Sequence, residues 1–478
     1  MSFSFAIDPV MNAPSSPLTR RAWLRQTSAG FGAVALHGLL HGAQNPLVQR
    51  APGWVPPAKR VIFLFMAGGP SQMDLFDPKP LIQRKHGHSV SAPLPEKDKH
   101  ESTAKLLALG TNIPVRPRGQ SGVTISDLMP HTAAIADDLC LLRAVHADNN
   151  QHGPAALQFH TGALAEARPS VGSWISYGLG TENQNLPGFL TIHPGIDTRL
   201  YGSSFLPAAH QGTPIILPAK ESDPAIDFLT DTTTDTATQR RRFDFIQRMN
   251  RRLLERDATD ARLEGMVHSL ETAYRMQAAT PELVDLSKET EATKKLYGIG
   301  DKTSDKNGRA CLLARRLSEA GVRFVQVTMD GWDHHGDIRG SLPKSCAATD
   351  QPCAGLIRDL KSRGLLEETL VVWSGEFGRT PWSQDLSGTA PIEKHGREHQ
   401  PESFCAWMAG GGVKGGHMHG ETDEFGYLPA SGKVHLHDLH ATILHLLGLD
   451  HEHLTWRQLG RDYRLTDVYG EVVREILA

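Results

Sequence analysis

The chain has 478 residues, 39% of them hydrophobic, which is enough for a large α/β domain with a sizeable buried core. Its 50 lysines and arginines nearly balance 53 aspartates and glutamates, so no net positive field indicates a nucleic-acid partner. The five cysteines lack a Cys-x-x-Cys pair, which excludes a zinc ribbon or a disulfide-dense scaffold. One loop disulfide, between Cys346 and Cys353, stays open.

The N-terminal segment carries a candidate export signal. In "TRRAWLRQTSAGFGAVALHGLLHGA", Arg20 and Arg21 precede a mildly apolar stretch that is too short and too polar to span a bilayer. This pattern resembles a twin-arginine signal, which the export machinery of that name would recognise. The alternative is a chance arginine pair before an amphipathic helix. We expect a signal region at 1–44, a Pro-rich linker at 45–57, one domain at 58–478, and export to the periplasm or cell surface.

Apolar runs along the rest of the chain predict buried strands. The first is "RVIFLFM", which stops at a Gly-Gly-Pro turn. Helical or long loop segments separate most of the others, so the pattern predicts a doubly wound, mainly parallel sheet flanked by helices. The later strand candidates lie at 139–145, 188–193, 323–329, 369–375 and 403–411.

Helical spacing of apolar residues marks the remaining elements. Between 236 and 297, apolar side chains recur at helical intervals among many charges, which predicts a helical insertion. A helix at 308–321 leads into the 323–329 strand. Near the C-terminus, "LHDLHATILHLLGLD" predicts a helix that ends at Gly448, with Asp438 as its capping residue.

The stretch "MDGWDHHGD" places histidines and carboxylates directly after a buried strand, at the edge where α/β folds keep their chemistry. Asp330 and His334 are four residues apart, a spacing that can direct both side chains to one divalent ion. We expect Asp333, His335 and Asp337 to support these ligands from outside. The alternative is a solvated turn whose polar groups are satisfied.

Three further strand ends carry polar side chains. "VVWSGEFGRTP" offers Glu376 as a metal ligand and Arg379 as an anion-binding group. "KHGREHQPESF" adds Arg397 and His399, and the turn "GGPSQMDLFDPKP" adds Asp74, which is a better ligand candidate than Asp77. For Asp77 an ordinary turn role stays open. The candidates in these segments are Ser71, Asp74, Asp77, Glu376, Arg379, His395, Arg397, Glu398 and His399.

These motifs together resemble a known family. "MAGGPSQMDLFDPKP", "DGWDHHGD", "GEFGRTP", "GREHQPESFCAWMAGGGVKGG" and the C-terminal "DLHATILHLLGLDHEHLTWRQLGRDYRLTDVYGE" are similar to exported bacterial proteins of domain-of-unknown-function family 1501. That family is sulfatase-like and belongs to the alkaline phosphatase-like superfamily of phosphatases, sulfatases, phosphodiesterases and cofactor-independent phosphoglycerate mutases. The resemblance implies a doubly wound fold with up to two divalent ions at the strand ends.

The resemblance also implies roles for particular residues. Its first metal site would consist of Asp330, His334 and His399. Its second site is altered here, because Glu376-Phe377 stands where an Asp-His pair is usual and the aspartate expected after the first strand is shifted to Asp74. The ions expected are zinc or manganese, with calcium as a further option.

The usual nucleophile is also absent from its expected position. Counting ten residues back from Gly162 reaches His152 instead of a serine or threonine. His152 would therefore be a ligand to a second ion, a nucleophile, or a packing residue. Neither Cys140 nor Cys311 has the context that sulfatases need to form formylglycine, so a standard sulfatase mechanism is disfavoured.

Two functions stay open from the sequence. The favoured one is an exported metal-dependent hydrolase of phosphate or sulfate esters, in which one or two ions activate water. There, Arg379 or Arg397 would hold an anionic ester substrate. The rival is a non-catalytic relative that binds a metal, an anionic glycan or a partner protein. The altered nucleophile position favours the rival, and the density of histidines and carboxylates favours the enzyme.

Overall fold

A computed structural model describes residues 47–91, 106–217, 234–256, 270–272, 274–276 and 280–478. The predicted signal region, 1–44, lies outside these ranges, and its assignment stays a prediction. Pro46–Ala478 forms one compact unit. Within the described residues, no helix combines the length and apolar character needed to cross a membrane.

The centre of the described fold is a nine-stranded mixed sheet. Its strands are β1 (Arg60–Met66), β2 (Leu139–His146), β3 (Phe189–Ile192), β4 (Thr213–Ile215), β5 (Phe324–Met329), β6 (Thr369–Ser374), β7 (Phe404–Ala409), β8 (His417–His419) and β9 (Val434–His435). The spatial order is β8-β2-β7-β6-β1-β5-β3-β4, and β9 also pairs with β2. Every pairing in this sheet is parallel except those of β7, which runs antiparallel to β6 and β2.

The described residues also form α-helices, several of which flank the sheet. They are α1 (Gln72–Leu75), α2 (Pro80–Arg84), α3 (Pro130–Ala133), α4 (His152–Thr161), α5 (Val171–Leu179), α6 (Thr236–Arg256), α7 (Glu291–Leu296), α8 (Asp305–Glu319), α9 (Ile338–Ser362) and α10 (Leu436–Leu446). Short 3-10 turns occur at Ala136–Asp138, Thr198–Tyr201, Ala208–His210, Leu366–Glu368, Ile392–Lys394 and Arg474–Ile476.

Both faces of the sheet are covered, which explains the continuous apolar run of β1. Side chains alternate along a strand, and β1 sends Ile62 and Leu64 into a core shared with α8 and α9. Val61 and Phe63 enter the opposite core with α4, α5 and α10. The strand needs apolar residues at every position because each face is buried. The predicted doubly wound architecture and the five later strands are therefore confirmed.

Small hairpins and irregular strand pairs lie outside this sheet. The paired segments are Val115–Arg118 with Val123–Ser126, Gly378–Arg379 with His399–Gln400, Glu421–Thr422 with Pro429–Ser431, and Trp456–Gln458 with Arg461–Tyr463. The second pair contributes to the candidate site, because it places the loop that follows β6 beside His399.

The predicted helices are observed with shifted ends. The described parts of 236–297 contain α6, α7 and further helical residues at 270–272, 274–276 and 280–284. At α10, His435 is the N-cap residue and Asp438 lies three positions later, where its carboxylate accepts the backbone N–H of His435 at 2.8 Å. Asp438 therefore has a capping role, but as the reciprocal member of a capping box.

The disulfide left open by the sequence is absent. Cys346 and Cys353 are both free and buried, and they lie seven residues apart in the single helix α9. Seven residues of α-helix rise by about 10 Å, whereas a disulfide joins Cα atoms that are about 4.4–6.8 Å apart. The segment that looked like a loop in the sequence is a helix, so this pairing is excluded.

Candidate metal centre

Two glycines after β1 allow three loops to meet at the carboxyl edge of the sheet. Gly68 has a φ of 118° and Gly69 a φ of 82°. A Cβ on Gly68 would lie 2.5 Å from the backbone nitrogen of Asp333, and one on Gly69 would lie 2.5 Å from the Phe377 ring. Only glycine accepts both the conformation and the approach. The Gly68 N–H then donates to the Glu376 carboxylate at 3.1 Å, which joins the loop after β6 to the loop after β1.

Four side chains converge at this edge. His152 begins α4, Asp333 and His335 follow β5, and His399 lies in the short strand paired with Gly378–Arg379. One nitrogen or carboxylate oxygen from each residue lies within 4.8 Å of all the others. The Nε2 atoms of His335 and His399 lie 2.9 and 3.1 Å from Oδ1 of Asp333. Nε2 of His152 lies 3.3 Å from Oδ2.

Each histidine of this cluster is held from outside through its Nδ1 atom. His152 Nδ1 lies 2.7 Å from Oε1 of Glu376, and His399 Nδ1 lies 2.7 Å from the carbonyl oxygen of Asn150. His335 Nδ1 lies 2.6 Å from Oε1 of Gln384, whose amide nitrogen donates to Glu398. Carbonyl and carboxylate oxygens accept only, so all three Nδ1 atoms carry the proton.

That proton assignment determines what faces Asp333. A neutral imidazole protonated at Nδ1 has its lone pair on Nε2, and all three Nε2 atoms point toward the carboxylate of Asp333. Nε2 of His152 is buried and has no hydrogen-bond partner of good geometry among the described residues. Lone pairs that face a carboxylate repel it unless a proton or a metal cation lies between them. The cluster therefore requires positive charge at its centre.

The titration behaviour agrees with this requirement. The Asp333 carboxylate, followed by Glu376, raises the pKa of His152 to about 9. Burial alone would raise the pKa of Asp333, but its close contacts with His152, His399 and Arg379 outweigh burial and hold it well below its usual range. The pKa of His399 is lowered, chiefly by burial. Without a metal, the cluster gains its positive charge by protonating His152.

Solvent reaches one side of the cluster, and an aromatic ring covers the other side. The side chains of His152 and Asp333 are 41% and 45% exposed, whereas His399 is 12% exposed. The ring of Phe377 lies 5.1 Å from the ring of His152 and 4.3 Å from that of His399, centroid to centroid. A ligand can thus approach Asp333 and His152 while Phe377 shields His399.

Two of the predicted first-site residues lie outside this cluster. Asp330 is largely exposed and faces Lys306 at 3.9 Å, and His334 is buried with Nε2 3.1 Å from the hydroxyl of Ser345. The segment forms no helix, so a spacing of four residues does not bring Asp330 and His334 to one side. Asp333 and His335 face the cluster, while Trp332 and His334 turn toward the interior. The structure thus brings Asp333 and His335, which we expected as outer partners, to the centre with His399.

Arg379 does not fit the predicted anion-binding role, because its guanidinium is fully buried. It donates to the carbonyl oxygens of Gly68, Gly69, Trp332 and Arg397 and to Oδ1 of Asp333. These acceptors belong to the loops after β1 and β5 and to the segment before His399. Arg379 therefore fixes the loops that carry the cluster and orients one oxygen of Asp333.

Arg397 and Asp74 form a separate buried pair. Both side chains have no exposed surface, and two guanidinium nitrogens lie 2.9 and 3.2 Å from the Asp74 oxygens. The same carboxylate accepts hydrogen bonds from Ser71 and Thr111, and Arg397 also donates to the carbonyl oxygens of Leu109 and Thr380. Asp74 is therefore occupied by a cation of the protein itself, and it is not among the residues that His152 faces.

The remaining candidates have ordinary contacts. Glu376 was expected as a metal ligand, but it holds His152 from outside instead of joining the four-residue cluster. Asp337 pairs with Lys394 at 3.3 Å, and Asp77 pairs with Lys79 at 3.0 Å. His395 Nε2 lies 2.9 Å from the carbonyl oxygen of Ala390.

Fold and cluster together define the class: a doubly wound α/β protein with three histidines and a carboxylate, which could hold a metal ion, at the carboxyl edge of its sheet. The sequence matches the family described as "Protein of unknown function (DUF1501)" over residues 58–477. The chain belongs to this family, which confirms the resemblance read from its motifs. No curated protein gives a significant sequence match.

Solved structures of three other proteins show distant similarity. The lipoteichoic acid synthase LtaP from Listeria monocytogenes is 10% identical, with 88% of this chain and 78% of that chain covered and a TM-score of 0.34. The PsFucS1 sulfatase from Pseudoalteromonas sp. is 13% identical, with 90% and 70% covered and a TM-score of 0.33. Alkaline phosphatase from the Antarctic bacterium TAB5 is 9% identical, with 83% and 99% covered and a TM-score of 0.33.

Proposed function

We propose that the protein is a metal-dependent hydrolase of phosphate or sulfate esters, with one divalent ion held by His152, Asp333, His335 and His399. The observation that carries the metal site is the common direction of the three Nε2 lone pairs toward Asp333, while every Nδ1 atom is held by an acceptor outside. Histidine ligands in metalloproteins are oriented by such outer partners. The class of substrate follows from the resemblance to the superfamily.

The donor set favours particular ions. Three imidazole nitrogens and one carboxylate suit zinc or manganese better than calcium, which prefers a shell of oxygens. A bound ion of this type polarises an ester oxygen and lowers the pKa of water. The chain contributes orientation: Glu376 fixes the ring of His152, Gln384 fixes that of His335, and Arg379 fixes Asp333.

Water is the proposed attacking group. With His152 as a ligand, its Nε2 lone pair is not available for a bond to phosphorus or sulfur. None of the four ligands offers a hydroxyl or thiol, and all five cysteines are buried. A half-exposed Asp333 leaves a side from which ester and water can approach. This arrangement also accounts for a histidine at the position where we expected a serine or threonine.

A specific observation favours a second candidate, a non-catalytic relative that binds a metal and an anionic glycan. Four protein ligands can complete the tetrahedral shell of a structural zinc ion, whereas catalytic zinc keeps an open position. The two candidates share the metal site and differ in turnover.

Metal analysis followed by a substrate screen separates these candidates. We expect the metal-depleted protein to bind one zinc or manganese ion per chain and then to hydrolyse at least one member of a panel of aryl phosphates, phosphodiesters and aryl sulfates. One bound ion without turnover, together with retention on a sulfated glycan column, would favour the second candidate. Failure to bind zinc, manganese or calcium would reject the metal site.

We also propose export through the twin-arginine pathway, supported by Arg20 and Arg21 in the N-terminal segment. This pathway accepts folded proteins, so the metal could be loaded before export. Replacing both arginines with lysine should leave the protein in the cytoplasm, as measured by fractionation of cells that express a tagged chain. Unchanged export of the variant would reject the assignment.

A further inference from the structure

The loop 147–151 supplies two parts of the proposed metal site. It connects the end of β2 at His146 to the start of α4 at His152, which is itself a proposed ligand. Within the loop, the carbonyl oxygen of Asn150 accepts the Nδ1 proton of His399 at 2.7 Å. A small shift of this loop would therefore move one ligand and release the orientation of another.

Asp148 anchors this loop through three contacts. Its backbone N–H donates to Oε1 of Gln158 at 3.0 Å, and its Oδ2 accepts a hydrogen bond from the amide nitrogen of the same glutamine. Gln158 is buried in α4. Oδ2 of Asp148 also lies 3.1 Å from Nε2 of His435. Loop, helix α4 and the start of α10 thus meet at one carboxylate.

The tautomer of His435 can be deduced from its own contacts. Its Nδ1 accepts the backbone N–H of His437 at 3.1 Å as the N-cap of α10. Nδ1 must then be unprotonated, so Nε2 carries the proton and donates it to Asp148. This hydrogen bond is the first cause of the lowered pKa of Asp148, about 2. The capping contact thereby orients His435 as a donor toward the loop.

We propose that Asp148 and His435 are positioning residues of the metal site, which hold loop 147–151 so that Asn150 orients His399 and α4 presents His152. The anchoring of the loop is inferred from the contacts above, whereas its effect on metal affinity rests on the proposed function. Neither residue is one of the four ligands, and no ligand touches either side chain in a described hydrogen bond or ion pair. Their effect must pass through the loop.

The substitution His435→Asn separates positioning from helix capping. Asparagine is a good N-cap residue, so α10 keeps its cap, but its shorter side chain cannot donate to Asp148. Asp148→Ala removes the carboxylate that accepts these hydrogen bonds. Asp148→Asn keeps a side-chain oxygen that can accept hydrogen bonds from both His435 and Gln158. The matched control is His453→Asn, because His453 forms an equivalent pair with Asp450 at 2.8 Å on the exposed surface.

Zinc affinity of metal-depleted protein is measured by competition with a chromophoric chelator, with the melting temperature recorded alongside. We expect His435→Asn and Asp148→Ala to weaken zinc binding by about 10- to 100-fold, the range known for outer partners of metal ligands. Asp148→Asn and His453→Asn should remain within about threefold of wild type. If His435→Asn and Asp148→Ala both bind zinc with wild-type affinity, at unchanged melting temperature, the proposal is overturned.

Hydrogen exchange keeps the inference testable if the proposed function itself fails. If wild-type protein binds no metal, the metal site is rejected, and amide exchange of residues 147–152 decides the positioning role. Faster exchange there in His435→Asn and Asp148→Ala than in His453→Asn supports the anchor. Equal exchange in all three variants overturns it.

Discussion

The buried guanidinium of Arg379 donates a hydrogen bond to Oδ1 of Asp333, a carboxylate that is nearly half exposed. The same arginine holds the carbonyl oxygens of Gly68 and Gly69. One side chain therefore connects the two loops whose close approach the glycines permit. An arginine at this position looks like an anion receptor in the sequence, but in the fold it orients the carboxylate on which three histidines converge.

The first prediction separates the residues that the structure brings together from those expected from spacing. Asp333→Asn should weaken zinc binding by more than about 100-fold, because the negative charge at the centre of the ligand set is lost. This loss exceeds the range known for outer partners of metal ligands. Asp330→Asn should leave zinc affinity unchanged, since Asp330 is exposed and lies 3.9 Å from Lys306. Isothermal titration of both variants with zinc tests the assignment. Equal losses in both would return Asp330 to the ligand set.

The second prediction concerns the buried pair of Asp74 and Arg397. Asp74→Ala leaves a buried guanidinium without its carboxylate, so the free energy of unfolding should fall by about 3–5 kcal/mol. The exposed pair Arg457–Asp462, at 2.8 Å, provides the control. Asp462→Ala should cost about 1 kcal/mol or less. Urea denaturation gives both values.

A double variant tests whether the stability lost in Asp74→Ala comes from the uncompensated charge of Arg397 or from lost packing. Asp74→Leu combined with Arg397→Met removes both charges while keeping apolar volume. Its free energy of unfolding should recover part of the loss seen in Asp74→Ala, because a buried ion pair adds little net stability over apolar residues. A double variant less stable than Asp74→Ala would show that the polar network, including Ser71 and Thr111, dominates.

The sheet was predictable because strands that are buried on both faces have continuous apolar runs in the sequence. Each interior strand needs apolar side chains at every position, and these runs are visible without a structure. The edge where chemistry collects was also predictable, since polar clusters follow three of the strands. The family motifs located the correct loops, including "DGWDHHGD" and "GREHQ".

The individual ligands were harder to predict because they depend on loop conformation. A spacing of four residues indicates convergence only in a helical turn, whereas residues 330–335 form no helix. Trp332 is fully buried, and it anchors the loop so that Asp333 and His335 face the cluster. The tryptophan within this polar motif is the sequence signal that could have indicated that Trp332 turns inward and Asp333 faces the cluster. The partners of Arg379 and Arg397 come from distant loops, which no local pattern records.

The third prediction follows from the free cysteines. All five thiols are buried, and burial raises the pKa of Cys140 to about 12. The native protein should therefore react slowly with a thiol reagent at pH 8, since thiolate is the reactive form. After denaturation without reductant, five thiols should react. A count lower by two would indicate a disulfide and contradict the structure.

The last prediction is a loss of stability in mild acid that originates away from the metal site. His160 is fully buried in α4, donates from Nδ1 to the carbonyl oxygen of Ala156 at 2.8 Å, and packs against the rings of Phe63 and Phe65. Burial lowers its pKa from 6.5 to about 4. Between these two values the unfolded chain binds a proton that the folded chain excludes.

The sign of the effect follows from that difference. The stabilising contribution of neutral His160 is fully present above pH 6.5 and is lost as the pH falls toward 4, with a slope of up to about 1.4 kcal/mol per pH unit. His160→Phe removes this proton and should give metal-depleted protein a shallower decline in unfolding free energy between pH 6.5 and 4. His453→Asn, at an exposed histidine, should keep the wild-type slope. A wild-type slope in His160→Phe, measured by urea denaturation at each pH, would show that His160 is already protonated in the fold.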